Sequence, residues 1–133
     1  MVLNKFSTGL LALTVGFASL ATAAEFSTET LAEIKAKIEQ KQAVLVDVRE
    51  KAEWDDGHVD GAILLPISVL RKGLSEEGGQ ALPKDKILYL HCAVGMRAMS
   101  AAKILEKQGY TVRPLKPGLD DFVSAGFTKA KTN

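Results

Sequence analysis

The sequence predicts an α/β domain in which a mostly parallel central sheet is flanked by helices. Short apolar runs rich in Val, Ile and Leu recur along the chain, and stretches with helical periodicity separate them. These runs are apolar at nearly every position rather than at every second one, which is typical of strands buried on both faces. Glycine or proline stands at many of the boundaries, and right-handed crossovers would place helices on both sides of the sheet.

The first predicted elements are a helix at residues 27–40 and a strand at residues 43–48. The apolar stripe of the helix consists of Leu31, Ile34 and Ile38, at spacings of three and four. Thr30 and Glu33 have the spacing of a capping box near its start. The strand is an unbroken apolar run up to its aspartate, as expected for a buried parallel strand.

The same two patterns predict the remaining elements. Further strands are expected at residues 61–66, 87–91 and 110–115, and further helices at residues 50–55, 67–72, 97–108 and 119–125. Gly57, Gly109 and Gly126 follow three of these helices and suit C-terminal caps. Residues 75–80 are polar and rich in glycine, so we expect a loop there.

The overall charge argues against nucleic acid as a partner. The chain has 17 basic and 16 acidic residues, and only 6% of its residues are aromatic. No cluster of Lys and Arg occurs, whereas a nucleic-acid-binding protein usually shows a basic face.

Residues 1–23 have the pattern of a cleaved secretory signal peptide. A single lysine precedes the apolar run at residues 10–18, and an A-x-A site ends at Ala23. The run is shorter than the roughly 20 apolar residues that a membrane-spanning helix needs. We therefore expect cleavage after Ala23, or next best after Ala24, and a periplasmic or secreted single domain at residues 24–133 with no membrane anchor.

Cys92 is the only cysteine, so no intramolecular disulfide can form. In an exported protein a lone cysteine suggests a reactive thiol or intermolecular pairing, and the alternative is a buried, inert cysteine. Here it stands between the strand at residues 87–91 and a helix starting near Arg97, at the edge of a parallel sheet where ligands bind. Backbone N–H groups of a tight loop and a helix N-terminus favour the thiolate, Arg97 adds positive charge, and Gly95 is free to take a positive φ. This placement favours a reactive thiol.

Several segments resemble motifs of the rhodanese family. Residues 92–97, C-A-V-G-M-R, resemble its active-site loop C-x-x-G-x-R. Residues 45–49 resemble its D-V-R strand end, residues 53–66 its E-x-x-x-G-H-I-x-G-A-x-x-x-P signature, and residues 109–110 and 115–119 its G-Y/F and L-x-G-G-x segments. The matches run in order through nearly all of the predicted mature chain. With the predicted signal peptide, the chain is similar to small periplasmic rhodaneses of the phage-shock type.

The resemblance implies a three-layer rhodanese-like domain with thiosulfate sulfurtransferase activity. Cys92 would take sulfane sulfur from thiosulfate or a persulfide and pass it to cyanide or a thiol. The backbone N–H groups implied around the sulfur are those of Ala93, Val94, Gly95, Met96 and Arg97. Arg97 would also help to hold an anionic donor. No metal or organic cofactor is implied.

Other polar residues near the motifs have two interpretations. Asp47 and Arg49 either line the site or form an ion pair that joins strand to loop, and we favour the ion pair. His58 is mostly structural in the family motif, so we favour a structural role over a catalytic one. Glu53 and Trp54 either line the mouth of the site or pack against it.

Two other functions compete with sulfur transfer. Tyrosine-phosphatase-like enzymes carry H-C-x-x-x-x-x-R, and His91 does precede Cys92, but here Arg97 follows after only four residues. In the rhodanese superfamily the shorter loop goes with sulfur and the longer one with phosphate or arsenate. The other alternative is a sulfur carrier for a dedicated partner protein, with little turnover of its own. A metal site is not expected, because the histidines and Cys92 lack a paired ligand spacing.

Overall fold

The computed structural model describes residues 12–16, 23–73, 76–77 and 80–131. The helices are α1 (Leu31–Glu39), α2 (Lys51–Asp56), α3 (Ile67–Arg71), α4 (Met96–Lys107) and α5 (Leu119–Ser124). The strands are β1 (Ala43–Asp47), β2 (Ile63–Leu64), β3 (Glu76–Glu77), β4 (Gln80–Ala81), β5 (Ile87–His91) and β6 (Thr111–Pro114). Most of the predicted signal peptide lies outside the described residues.

The central sheet has four strands in the order β2-β1-β5-β6, and every neighbouring pair is parallel. The register places Asp47, at the end of β1, opposite His91, at the end of β5. The carboxyl ends of these two strands therefore meet at one edge of the sheet, directly before Cys92.

Both faces of the sheet are covered, as the unbroken apolar runs predicted. Side chains alternate between the faces of a strand, so neighbours in β1 and β5 enter different cores. On one face, Val46, Val48, Leu88 and Leu90 pack with residues of α3 and α4, including Leu70, Ala101 and Leu105. On the other face, Leu45 and Tyr89 pack with Ile34 of α1 and Phe122 of α5. The predicted α/β fold with a parallel sheet between helices is confirmed.

Helix α1 shows how capping sets an element's boundary. The Thr30 hydroxyl accepts the backbone N–H of Glu33 (3.2 Å), and the Glu33 carboxylate accepts the backbone N–H of Thr30 (2.7 Å). This confirms the predicted capping box, and it starts the helix at Leu31 rather than at residue 27. The segment before it is not helical, and the N–H of Ser27 donates to the carbonyl of Pro114 at the end of β6 (2.9 Å).

The predicted loop at residues 75–80 is wrong for its described part. Residues 76–77 and 80–81 pair as antiparallel strands β3 and β4. No helix within the described ranges is both long and apolar enough to cross a membrane.

Candidate active site

Cys92 directly follows β5 and is followed by a loop that enters α4. Gly95 is the N-cap of α4 and has a φ of +98°, the conformation in which glycine is favoured. A Cβ at this position would lie 3.0 Å from the ring of Phe26 and 3.2 Å from the Cα of Lys116. Glycine is thus required here both by the backbone turn and by the space available.

The sulfur of Cys92 accepts hydrogen bonds from two backbone N–H groups. Gly95 donates over 3.1 Å and Ala98 over 3.4 Å, and the cysteine is 1% exposed. The donation by Ala98 arises because α4 begins at Met96, so that this N–H belongs to the first turn, which has no partner within the helix. Two N–H dipoles pointing at one sulfur, with the helix dipole behind them, favour the negative charge of a thiolate.

The set of N–H groups at the resting sulfur differs from the set that the resemblance implied. Within the described ranges, the N–H groups of Ala93, Val94, Met96 and Arg97 do not donate to Sγ, and the second donor is Ala98 instead. The sequence prediction missed Ala98 because the resemblance limited the expected donors to residues 93–97. Val94 and Met96 turn their side chains to solvent, each 73% exposed. The role of the loop residues toward a bound sulfur stays a prediction.

Arg97 forms a two-point ion pair with Glu53 of α2. Its Nη1 lies 2.6 Å from Oε1 and its Nη2 3.1 Å from Oε2. This pairing is the main cause that lowers the pKa of Glu53 and raises that of Arg97, and Cys92 adds to the effect on Arg97. Glu53 therefore contacts Arg97, the residue predicted to bind the donor, and it also lines the cavity beside the loop, as one of its two interpretations expected.

Asp47 and Arg49 form a buried ion pair. Arg49 donates from Nε and Nη2 to both carboxylate oxygens of Asp47, over 2.7 to 3.1 Å, and its backbone N–H donates to Oδ1 (3.0 Å). A further bond from Nη2 reaches the carbonyl of Gly57 (2.8 Å), so the side chain joins β1 to the end of α2. This is the geometry of the favoured interpretation, and a direct role toward a ligand stays a prediction.

His91 is a fully buried residue of this network, which the sequence analysis considered only in the phosphatase-like motif and as a possible metal ligand. Its Nε2 lies 3.4 Å from Oδ2 of Asp47, outside hydrogen-bond geometry. Burial alone would raise the pKa of Asp47, but the contact with His91 and the bonds from Arg49 outweigh it and lower the pKa to about 2. The network therefore fixes the strand end that carries Cys92.

His58 has contacts of a structural kind. Its ring stacks on Trp54 with centroids 3.5 Å apart and planes 6° from parallel, and its Nδ1 lies 2.9 Å from the Trp54 carbonyl oxygen. Its own carbonyl accepts the N–H of Ala130 (2.9 Å). Within the described part of the chain these bonds join α2 to the C-terminal segment and do not reach residues 92–97.

A cavity of about 500 Å³ lies beside the loop. Its lining includes Arg49, Glu53, Ala93, Gly118, Asp120 and Asp121. A smaller cavity of about 210 Å³, lined by Lys41, Lys86 and Phe127 among others, includes none of residues 92–97, so we assign the site to the larger one. No group of three His, Cys, Asp or Glu side chains arranged to hold a metal ion occurs in the ranges that the structure describes.

Comparison with known proteins agrees with this geometry. Residues 30–125 match the Rhodanese-like domain family. The chain belongs to this family. The rhodanese resemblance of the motifs is thereby confirmed at the level of the family.

The relatives of this rhodanese-like chain include proteins named for sulfur transfer. It is 37% identical over 92 residues to the probable adenylyltransferase/sulfurtransferase MoeZ of Mycobacterium tuberculosis, which is 68% of this chain but only 23% of MoeZ. It is 32% identical over 96 residues to the putative sulfurtransferase YtwF of Bacillus subtilis, covering 71% of this chain and 88% of YtwF. The crystal structure of a rhodanese-related protein from Thermoplasma volcanium superposes with a TM-score of 0.62 at 27% identity, over 79% of this chain and 98% of that one.

Proposed function

We propose that this protein is a sulfurtransferase that carries sulfane sulfur as a persulfide on Cys92. The donor is thiosulfate or a persulfide, and the acceptor is a thiol or cyanide. The observation that carries the proposal is the pair of N–H groups, from Gly95 and Ala98, that donate to a sulfur at the end of a parallel strand. Such donors favour the thiolate, which is the nucleophilic form of cysteine. The names of the relatives support the same chemistry.

In the first step the Cys92 thiolate attacks the outer sulfur of the donor. A new S–S bond forms as the donor's own S–S bond breaks, and the leaving group takes the electron pair as sulfite or as a thiolate. The enzyme persulfide then stores the sulfur, which divides one transfer into two easier steps. The N–H groups at the start of α4 stabilise the negative charge on sulfur before and after this step.

In the second step the acceptor attacks the terminal sulfur of the persulfide. The Cys92 thiolate leaves with the electron pair and is ready for another cycle. Because Cys92 is the only cysteine, no second thiol of this chain can resolve the persulfide. The acceptor must therefore come from outside the chain.

We also propose export to the periplasm, with removal of residues 1–23 and a mature domain at residues 24–133, as in small rhodaneses of the phage-shock type. The lysine, the apolar run and the A-x-A site support this. Ala24 packs against one of the two hydrophobic cores, which favours cleavage after Ala23 over cleavage after Ala24. Fractionation followed by N-terminal sequencing tests this proposal, and a cytoplasmic, unprocessed chain would contradict it.

Intact mass spectrometry after treatment with thiosulfate or a persulfide tests the sulfur chemistry. We expect a gain of one sulfur atom that cyanide removes and that Cys92→Ser lacks. The Cys92→Ser variant should keep its circular dichroism spectrum and thermal midpoint, because the hydroxyl is close in size to the thiol. Thiosulfate:cyanide activity retained in that variant would refute the assignment.

The same protein preparations separate the alternatives. A stable persulfide with very slow turnover toward cyanide and small thiols would indicate a carrier for a partner protein. Robust Cys92-dependent hydrolysis of an aryl phosphate would indicate a phosphatase of the same superfamily and would refute the proposal.

A further inference from the structure

The cation expected to hold an anionic donor is already occupied. Arg97 directs both terminal nitrogens at the Glu53 carboxylate, over 2.6 and 3.1 Å. Glu53 is fixed in turn, because its Oε1 also accepts the backbone N–H of Glu50 (3.2 Å) in the first turn of α2. A donor can use the charge of Arg97 only by competing with a carboxylate that is held in place.

The other cations beside the loop have partners as well. Arg49, which lines the cavity, is bound to Asp47 and to the carbonyl of Gly57. Lys116, whose backbone touches Gly95, places its Nζ 5.1 Å from the centroid of the Phe26 ring. The cavity is lined besides by the carboxylates of Asp120 and Asp121. Among the residues that the structure describes beside the loop, both arginines are thus paired with carboxylates, and Lys116 lies against an aromatic ring.

We propose that Glu53 is a positioning residue that sets the donor preference of the site by holding Arg97. The preferred donors are persulfides of low charge, and dianionic thiosulfate is disfavoured. This inference rests on the proposed sulfur transfer at Cys92 and specifies its donor class.

The preference follows from charge. Thiosulfate brings two negative charges to Arg97, and its sulfonate end competes directly with the Glu53 carboxylate for the same guanidinium. A hydropersulfide, R–S–SH, brings no sulfonate, and the only charge that develops is on sulfur, where the N–H groups of Gly95 and Ala98 point. The ion pair of Glu53 with Arg97 therefore weakens the binding of thiosulfate. A persulfide is not affected in this way, because its reaction does not depend on Arg97.

The favoured reaction needs no additional reagent. The Cys92 thiolate attacks the terminal sulfur of R–S–SH, the bond between the two donor sulfurs breaks, and RS⁻ leaves with the electron pair. The product on the enzyme is Cys92–S–SH. Charge and electrons balance, and no oxidant is consumed.

The test compares rate constants of persulfide formation for two donors, thiosulfate and 2-hydroxyethyl persulfide, whose tail carries no charge. Quenched samples are measured by intact mass. In Glu53→Gln, which keeps the shape and the acceptor oxygen for Glu50, the ratio of the thiosulfate to the persulfide rate constant should rise by about two- to fivefold, the range of a partly exposed ion pair. Because the gain is electrostatic, it should shrink at high salt.

Asp55→Asn is the matched control. It removes one carboxylate charge from the same helix, where Asp55 pairs with Lys51 in an exposed contact. Its ratio should equal that of the wild type. A double variant, Glu53→Gln with Arg97→Ala, tests whether Glu53 acts through Arg97. Relative to Arg97→Ala alone, the double variant should show no rise in the ratio of the two rate constants.

Three results would overturn the inference. They are an unchanged or lower ratio in Glu53→Gln, an equal rise in Asp55→Asn, and a rise that persists without Arg97. In each case the proposed function stands if wild-type Cys92 still gains sulfur. If neither donor modifies wild-type Cys92, the proposed function fails and the donor preference fails with it.

Discussion

The ion pair of Asp47 and Arg49 permits a sharp test, because both side chains are buried and joined at two points. Arg49→Met would leave the Asp47 carboxylate in the interior with only a backbone N–H and the 3.4 Å contact with His91. Breaking a buried pair in this way costs about 3–5 kcal/mol of the free energy of unfolding. The lowered pKa of Asp47 agrees in sign, because burial raises it and the contacts with His91 and with Arg49 together lower it.

The sign of the pH dependence follows from the lowered pKa. Because Asp47 has a folded pKa of about 2, below its ordinary value of 3.8, its contribution is complete above about pH 4 and is lost as the pH falls through about 2. In Arg49→Met the carboxyl should take up its proton at higher pH than in the wild type. The deficit of the variant is therefore largest near neutrality and shrinks in acid.

Urea unfolding followed by the fluorescence of Trp54, the only tryptophan, measures these free energies. Asp47→Asn combined with Arg49→Met should lose less than Arg49→Met alone, because no charge is left unpaired. Arg71→Met, an exposed arginine on α3, serves as the control and should change stability by no more than about 0.5 kcal/mol. A loss of less than about 1 kcal/mol in the free energy of unfolding of Arg49→Met at pH 7 would refute the structural role. If persulfide formation were slower in the same variant, Arg49 would instead contact the sulfur donor.

Gly118→Ala should slow persulfide formation by about tenfold or more, because its Cβ would lie 2.6 Å from the Ala93 carbonyl oxygen and displace the loop. A rate within about twofold of the wild type would contradict this. Phe26→Ala should slow the same step several-fold, since the ring packs on Gly95, which donates to the reacting sulfur, and Phe26→Leu should recover most of the rate. The pKa of Glu29 is lowered to about 2, because donation from two basic side chains, a tyrosine and a serine outweighs its burial. Its contribution to stability is therefore present above about pH 4.5 and lost toward pH 2, so the acid slope of unfolding free energy should be shallower in Glu29→Gln.

The elements that the sequence predicted well are those governed by neighbouring residues. The strand at Ile87–His91 agrees with the prediction at both ends, because an apolar run bounded by polar residues is a local signal. Helix α1 was predicted too long, since its start depends on which of several polar residues caps it, and Thr30 does. Helix α4 begins one residue earlier than predicted, and the donation by Ala98 was missed because the motif that implied the donors ends at Arg97.

The position of Cys92 at a strand end and a helix N-terminus is determined by its neighbours in the sequence. Cys92 follows β5 directly, and only Ala93, Val94 and Gly95 separate it from α4, so local preferences are enough to place the sulfur at a helix N-terminus. The partners of the site come from distant parts of the chain instead. Glu53 meets Arg97, Asp47 lies beside His91, and Gly118 leaves room for Ala93, because β5 pairs with β1 on one side and with β6 on the other and the loops after these strands pack together. Sequence spacing carries no distance information between such residues, so their pairing depends on how the helices and the sheet pack.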